Sequence, residues 1–549
     1  MLESIRQFWN NIGRKKSYWV SVLFFSISTY GYSIFSRTIG IDDLASDIYI
    51  GSGHVMIAAG RWGMVLWNKL AAIPRLSPAS DRMLATLFLM VAGILLSGLF
   101  YHIHHELKNG AFVYKYTVLS CCLITYPILG EIWEYSGANY MSTGGMLISI
   151  LTCFYLLTRR TVGIKEILAA GVMMTLPMSS YEAGVLFYIT LVCGLLFYQF
   201  CVQGEKNRTS QYWKNTIIYA APLVIALFLR WGIGNLLRMI LGVEKVHNGA
   251  TSITWGNAPF LDVLRKVIID TVLNYVVNGI VYLPITVFLL AELFLIGYSV
   301  FLTIKKRSGM VLAGGLLLGL SVFIMPLIQG AFLQYRTAIP LSVLVSFSAF
   351  LLMESLAEQG SVIKKVLVSG LALYLIWVQS AYLNSELALN NQRSENEMRT
   401  MSIIAQKILS TDTNKPVVFI GEYDMGDYIR QAKKDYSDTL QGKLYEKAID
   451  AFKNRFGDYY YTFFHLTEFP DSNVNSVINY SISVNGMMTR YLSYLGYDIQ
   501  IVDRIDNPEA VAFAEEIVRQ NSMGSYDVLE TEDYIISTLY NIPVEATAR

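Results

Sequence analysis

Two adjacent carboxylates, Asp42 and Asp43, follow an apolar run that ends at Phe35, and a third, Asp47, comes close behind. A hydroxyl is a poor nucleophile until a base removes its proton, and a carboxylate beside the reacting atoms can do this. Pairing two such charges and partly burying them raises the pKa of one member. Asp42, nearer the membrane, is the expected base, and Asp43 its orienting neighbour. Arg230, Arg238 and Arg336 supply the complementary charge, because a guanidinium matches phosphate oxygens with two parallel N–H bonds. Glu131 and Glu134 are three residues apart, which places them on one helical face. Glu182 stands beside Tyr181 at an interruption of a long apolar stretch, where a carboxylate needs a partner or water. His102, His104 and His105 read as interfacial histidines at a helix end, with no metal-ligand spacing around them. Nothing resembles a P-loop, a dinucleotide-binding glycine pattern or a zinc-protease helix, so neither ATP drive, soluble-nucleotide chemistry nor a nucleic-acid partner is expected.

These residues need a membrane scaffold. The 549 residues are 54% hydrophobic and 15% charged, against about 25% charged in an average soluble chain. Apolar segments fall near 18–36, 83–101, 112–130, 141–158, 164–180, 183–201, 214–233, 275–303, 309–329, 338–356 and 364–383, eleven in all. Tyr18–Phe35 is too long for a signal-peptide core and has no cleavage site after it, so it is expected to stay as the first span. Arg6, Arg14, Lys15 and Lys16 mark the N-terminus as cytoplasmic, and an odd number of spans puts the C-terminus outside. Residues 48–70 read as one amphipathic helix lying on the membrane, with Trp62 and Trp67 as interfacial anchors. The acidic pair is therefore held at the outer surface beside a lateral helix. Pro177 and Ser179-Ser180-Tyr181-Glu182 predict a hairpin of two short helices over 164–200, and Glu292 must face protein or water. The five cysteines lie in or beside apolar segments and form no disulfide framework.

Beyond Tyr382 the composition turns polar. Residues 384–549 are long enough for a small α/β domain, against 1–383 for the membrane bundle. Strands are expected at 415–421 and 497–503, helices at 440–456 and 507–520 with Asn507 as N-cap and Pro508 in the first turn, and a terminal hairpin over 525–539. The fold class is mainly α: a polytopic bundle with an extracytoplasmic α/β domain.

A short cytoplasmic start, one helix, an Ile41-Asp42-Asp43 loop and then Gly60-Arg61-Trp62-Gly63 resemble the bacterial type II Gtr glucosyltransferases of O-antigen modification. Tyr181-Glu182 stands where that family tends to have Tyr-Gln. The resemblance implies a membrane glycosyltransferase of the GT-C class, taking a hexose, glucose first, from an undecaprenyl-phosphate carrier on the outer face of the bacterial inner membrane. It implies a surface glycan such as O-antigen as acceptor, and a sugar-carrier synthase and a flippase as partners. A base carboxylate and a leaving phosphate imply one in-line displacement with inversion. A phosphate-binding cation is required in this scheme and a divalent metal ion is optional. In it Glu131, Glu134, Tyr181, Glu182, Arg61 and Trp62 would contact substrate, Trp133, Tyr135 and Tyr140 would stack on sugar, and Arg230, Arg238 and Arg336 would hold the donor phosphate. The rival readings are a lipid-linked glycan polymerase, a flippase or other transporter, and a membrane-anchored binding protein.

Overall fold

The computed structural model describes residues 2–36, 38, 40, 53–70, 78–105, 114–133, 139–159, 161–202, 208–245, 254–272, 284–330, 337–357, 362–411, 414–423, 443, 447, 476–484 and 486–539. Asp42, Asp43, Asp47, Glu134, Arg336, Tyr135 and most of the helix expected over 440–456 lie outside the described residues. The chain divides into two units. The first comprises Met1–Phe35, Ile48–Trp133 and Gly137–Leu387, and the second Ser36–Asp47, Glu134–Ser136 and Ala388–Arg549.

In the first unit, Leu2–Phe8 forms α1 and Lys16–Phe35 forms α2. His54–Ala58 is α3, Trp62–Leu70 α4, Pro78–His105 α5, Tyr114–Thr125 α6 and Gly130–Trp133 α7. Asn139–Leu157 is α8, Ile164–Ser180 α9, Ala183–Leu196 α10 and Arg208–Leu241 α11. Phe260–Val272 is α12, Pro284–Lys306 α13, Gly309–Ser321 α14, Ile324–Gln329 α15 and Pro340–Ala357 α16; α17, Val362–Leu409, begins in this unit and belongs to the second from Ala388 on. All eleven apolar segments contain a helix. Seven stretches of the described residues are long and apolar enough to cross a membrane: Ala79–Ile103, Tyr114–Trp133, Asn139–Leu157, Ala183–Val202, Ser210–Leu241, Val287–Lys306 and Val362–Leu409. Gly309–Ser321 and Pro340–Ser355 are shorter apolar helices.

Lipid offers no hydrophobic drive between helices, so short hydroxyl side chains and close backbone approach hold such bundles together. Here Tyr18 pairs with Ser120 across α2 and α6 at 2.8 Å, and the Tyr30 hydroxyl donates to the Ile124 carbonyl at 2.7 Å. Ser380 of α17 meets Ser28 and Thr29 of α2 at 2.9 and 2.7 Å. The Lys115 ammonium is fully buried, 3.5 Å from Glu354, which also accepts from the Tyr198 hydroxyl at 2.8 Å. Glu292 does face protein: its carboxylate lies against Gly319 of α14, where a Cβ would stand 2.6 Å from Oε2.

Several expectations are corrected. The lateral segment is two helices, because Gly60, at φ +76°, adopts a left-handed turn that ends α3 before α4 begins. Trp62 is no interfacial anchor, being 8% exposed with its indole N–H bonded to protein. Trp133 is no sugar platform: it is 1% exposed and stacks on Tyr30 with ring centres 4.2 Å apart. Glu131 does lie on a helix, the one-turn α7, and is 5% exposed. Tyr140, at 1% exposure, is packed rather than displayed.

In the second unit, β1 (Val417–Ile420) pairs parallel with β3 (Ile535–Thr538), which pairs antiparallel with β2 (Val528–Glu530). Between them in sequence come α18 (Val477–Ser483), α19 (Met487–Tyr494) and α20 (Pro508–Gln520). Ala510, Ala514 and Val518, four residues apart, bury one stripe of α20 on Val418, Ile420 and Ile536. Glu397 of α17 accepts from the Val477 amide with both carboxylate oxygens at 3.2 Å, which anchors the start of α18. The stretch expected as a strand at 497–503 contributes an isolated bridge, Ile501 to Val417. Asn507 does precede α20 with Pro508 in its first turn, but its side chain donates to the Asp503 carbonyl and makes no capping bond.

Candidate functional site

The broken hairpin is the seat of the site. Pro177 lies between Gly145 and Gly184, and a Cβ on Gly184 would stand 3.3 Å from the proline ring. Helix α9 runs past Pro177 to Ser180, and the chain turns through Tyr181 and Glu182 before α10 begins. Glu182 takes the N-cap position of α10, yet its side chain makes no capping bond. Its carboxylate is directed to two arginines instead. Oε1 accepts from Arg230 Nη2 at 2.7 Å and Oε2 from Arg61 Nη2 at 3.4 Å. The three side chains are 27%, 23% and 32% exposed, so the cluster sits at a surface of this unit.

The four residues Gly60-Arg61-Trp62-Gly63 are each used at this junction. Gly60 turns the chain and offers its carbonyl to Arg230 Nε at 3.4 Å. Arg61 reaches Glu182. Trp62 donates from its indole to the Arg230 carbonyl at 3.2 Å and packs on Gly234, where a Cβ would lie 3.5 Å from the ring. Gly63 lets α4 lie directly on the end of α9, since a Cβ there would stand 2.6 Å from Ser180 Oγ and 2.8 Å from the Ser179 carbonyl carbon. Gly63→Ala should therefore destabilise the protein by about 1–3 kcal/mol through overpacking, read as a lower melting temperature in detergent. An unchanged melting temperature would show that α4 does not bear on the hairpin.

Burial pushes the Glu182 carboxyl up, but Arg61 and then Arg230 outweigh it and hold the group below the usual carboxylate range. The cluster is thus two fixed cations around one ionised carboxylate, with net charge +1. Among the described residues neither guanidinium spends all of its five N–H donors on protein. The arrangement can bind an oxyanion with donors whose geometry is set before the anion arrives.

Residues 31–353 match the family described as Glucosyl transferase GtrII. The chain belongs to that family. No curated protein and no solved structure matches it. The GtrII match takes in Asp42 and Asp43, the Arg61–Glu182–Arg230 cluster and the helices that build it, and it stops before α17 and residues 388–549.

Of the residues singled out by sequence, the structure brings together Arg61, Trp62, Glu182 and Arg230, with Tyr181 adjacent in the chain. Arg238 does not join them. It lies two turns further along α11 and donates to Asn235 within its own helix. Glu131 is in the core of the first unit, and Asp42, Asp43, Glu134 and Arg336 are outside the described residues. Sequence reasoning missed Asp81 and Arg82, buried at 1% and 2% at the start of α5. Arg82 donates to the Ser33 carbonyl at the end of α2 at 2.9 Å. An Asp-Arg pair placed directly before an apolar run was the available signal. Among the described residues no three His, Cys, Asp or Glu side chains gather as a metal site.

Proposed function

We propose that this GtrII protein is a polyprenyl-phosphate-sugar-dependent glucosyltransferase of the GT-C type, working on the outer face of a bacterial inner membrane. In this reading the eleven apolar helices all span, the N-terminus is cytoplasmic and residues 384–549 are exported. Glucose passes from undecaprenyl phosphate to a hydroxyl of a surface glycan such as O-antigen, with a synthase and a flippase supplying the carrier-linked sugar.

The observation that carries the reading is the convergence of Arg61 and Arg230 on Glu182. A sugar-phospholipid donor is a phosphodiester of charge −1, which a cluster of net charge +1 neutralises. During transfer the bond from the anomeric carbon to the phosphate oxygen breaks, and the acceptor oxygen forms the new bond from the opposite face. Asp42 takes the acceptor proton, and the lipid phosphate leaves with the electron pair and a second negative charge. Guanidinium groups already fixed in place stabilise that growing charge without reorganising. Fixed donors favour the departing phosphate over the resting diester, which is the requirement for lowering the barrier.

The test is transfer by the purified protein in lipid nanodiscs. Glucosyl phosphoryl undecaprenol with a glycan acceptor should give a glucosylated product of inverted anomeric configuration and free undecaprenyl phosphate. Transfer from a nucleotide-linked glucose but not from the lipid donor would overturn the reading. Translocation of the lipid donor with no product formed would favour the flippase.

A further inference from the structure

We propose that Trp67, Asn68 and Asn139 form a hydroxyl-reading subsite for the hexose, one sugar's length from the Arg61–Arg230 cations. This rests on the function proposed above.

Helix α4 is pinned at both ends. Its first turn lies on Ser179 and Ser180 through Gly63, and its last turn enters the bundle at α8. There Trp67 places Cη2 and Cζ2 at 3.0 and 3.1 Å from where a Cβ on Gly144 would be, so the ring edge next to the indole N–H points inward. The ring packs on Phe88 and Tyr140, with centres 6.0 and 6.1 Å away. Asn68 accepts at its carbonyl oxygen from the Tyr140 hydroxyl at 2.5 Å. That bond fixes the amide and commits its oxygen, leaving the NH₂ group to other partners. Asp81, two turns before Phe88 on α5, is near enough to act electrostatically on Tyr140.

The polar atoms here are buried and unspent. Trp67 Nε1, Asn68 Nδ2 and both side-chain amide atoms of Asn139 have no hydrogen-bond partner among the described residues, and Asn139 is fully buried. Leaving one such group unmatched is costly, and a protein retains several together where something else completes them. Three donors and one acceptor, all uncharged, near the rings of Trp67 and Tyr140, suit a neutral polyhydroxyl ring.

Position supplies the second argument. Seven residues of helical rise separate Arg61 from Asn68, about 10 Å. That is the span of a hexose phosphate. A donor whose phosphate lies at the start of α4 therefore brings its hexose hydroxyls towards the end of α4. Arg61 and Arg230 would hold the part common to all sugar carriers, and Trp67, Asn68 and Asn139 would tell one hexose from another. A site built on hydrogen-bond donors rejects analogues that lack the matching hydroxyl, because its own groups are then left unpaired.

Two substitutions each remove one donor. Trp67→Phe retains a ring and loses the indole N–H. Asn68→Asp retains the acceptor for Tyr140 and loses the amide N–H. The experiment measures kcat/KM in nanodiscs for glucosyl phosphoryl undecaprenol and its monodeoxy analogues, each lacking one hexose hydroxyl. Wild type should prefer the complete donor over at least one analogue by about tenfold, the worth of one good hydrogen bond. Each variant should lose that preference for one analogue and keep it for the rest. A loss shared equally by all donors, in both variants, would overturn the subsite and leave these residues as packing. Wild type failing to use any lipid-linked hexose would instead overturn the donor reading itself.

Discussion

Asp42→Asn should lower glucosyl transfer about a hundredfold or more, while the protein still inserts and accumulates. The change is isosteric and removes proton acceptance alone. Asp43→Asn should cost less, because the neighbour only orients the base or the donor. Two of the carboxylates that the structure describes would serve poorly as the base. Glu182 is ionised and held between Arg61 and Arg230, and a carboxyl kept below its usual range is a weak base. Glu131 is 5% exposed within the core of the first unit, away from any acceptor arriving from solvent. The acidic pair remains within the stretch that matches the family. Single Asn variants, normalised for protein in the membrane and assayed for transfer from the lipid donor, decide the matter. Near-normal activity in both would show that the pair only shapes its loop, and the base would have to be sought at Glu134.

Hydropathy made the helices legible, and Pro177 with its polar neighbours made the break between α9 and α10 legible as well. Motif spacing picked out Gly60-Arg61-Trp62-Gly63 but not what the four residues do. Arg61 and Glu182 are 121 residues apart, and Glu182 and Arg230 are 48 apart. Whether such side chains meet depends on how each helix is rotated about its axis, and a uniformly apolar helix carries almost no periodic signal for that rotation. For the same reason Arg230 and Arg238 looked equivalent in sequence, yet only the first turns towards Glu182. Tryptophans near a membrane surface mislead in a related way. Trp62 and Trp133 are rings that could sit in an interface or in a core, and composition does not separate the two. In the second unit the pattern over 525–539 did give β2 and β3, which pair antiparallel, with every residue of β3 buried. The stretch at 497–503 has the same pattern but forms only the Ile501 bridge.

Arg230 should prove the more sensitive of the two cations. It makes the 2.7 Å bond to Glu182 and a longer one to the Gly60 carbonyl, and its own carbonyl receives Trp62. Among the described residues the Arg61 side chain makes one bond, of 3.4 Å. Arg230→Ala should cut kcat/KM for the lipid donor about a hundredfold, in line with loss of charged hydrogen bonds to the phosphate. Arg230→Lys should recover part of it, because an ammonium keeps the charge but cannot span Glu182, Gly60 and a phosphate in one plane. Arg61→Lys should cost less than Arg230→Lys. A packing role would make Ala and Lys equally harmful at position 230 and would leave the salt dependence of donor use unchanged. Glu182 gives an independent check through pH. Folding lowers its pKa, so its contribution to stability is present above the unfolded value of about 4.3 and drains away as pH falls through the folded value. The melting temperature of wild type should therefore fall more steeply than that of Glu182→Gln as pH drops below about 4. Parallel curves for the two proteins would mean that the carboxylate does not hold the arginines, and the phosphate site would then lose its frame.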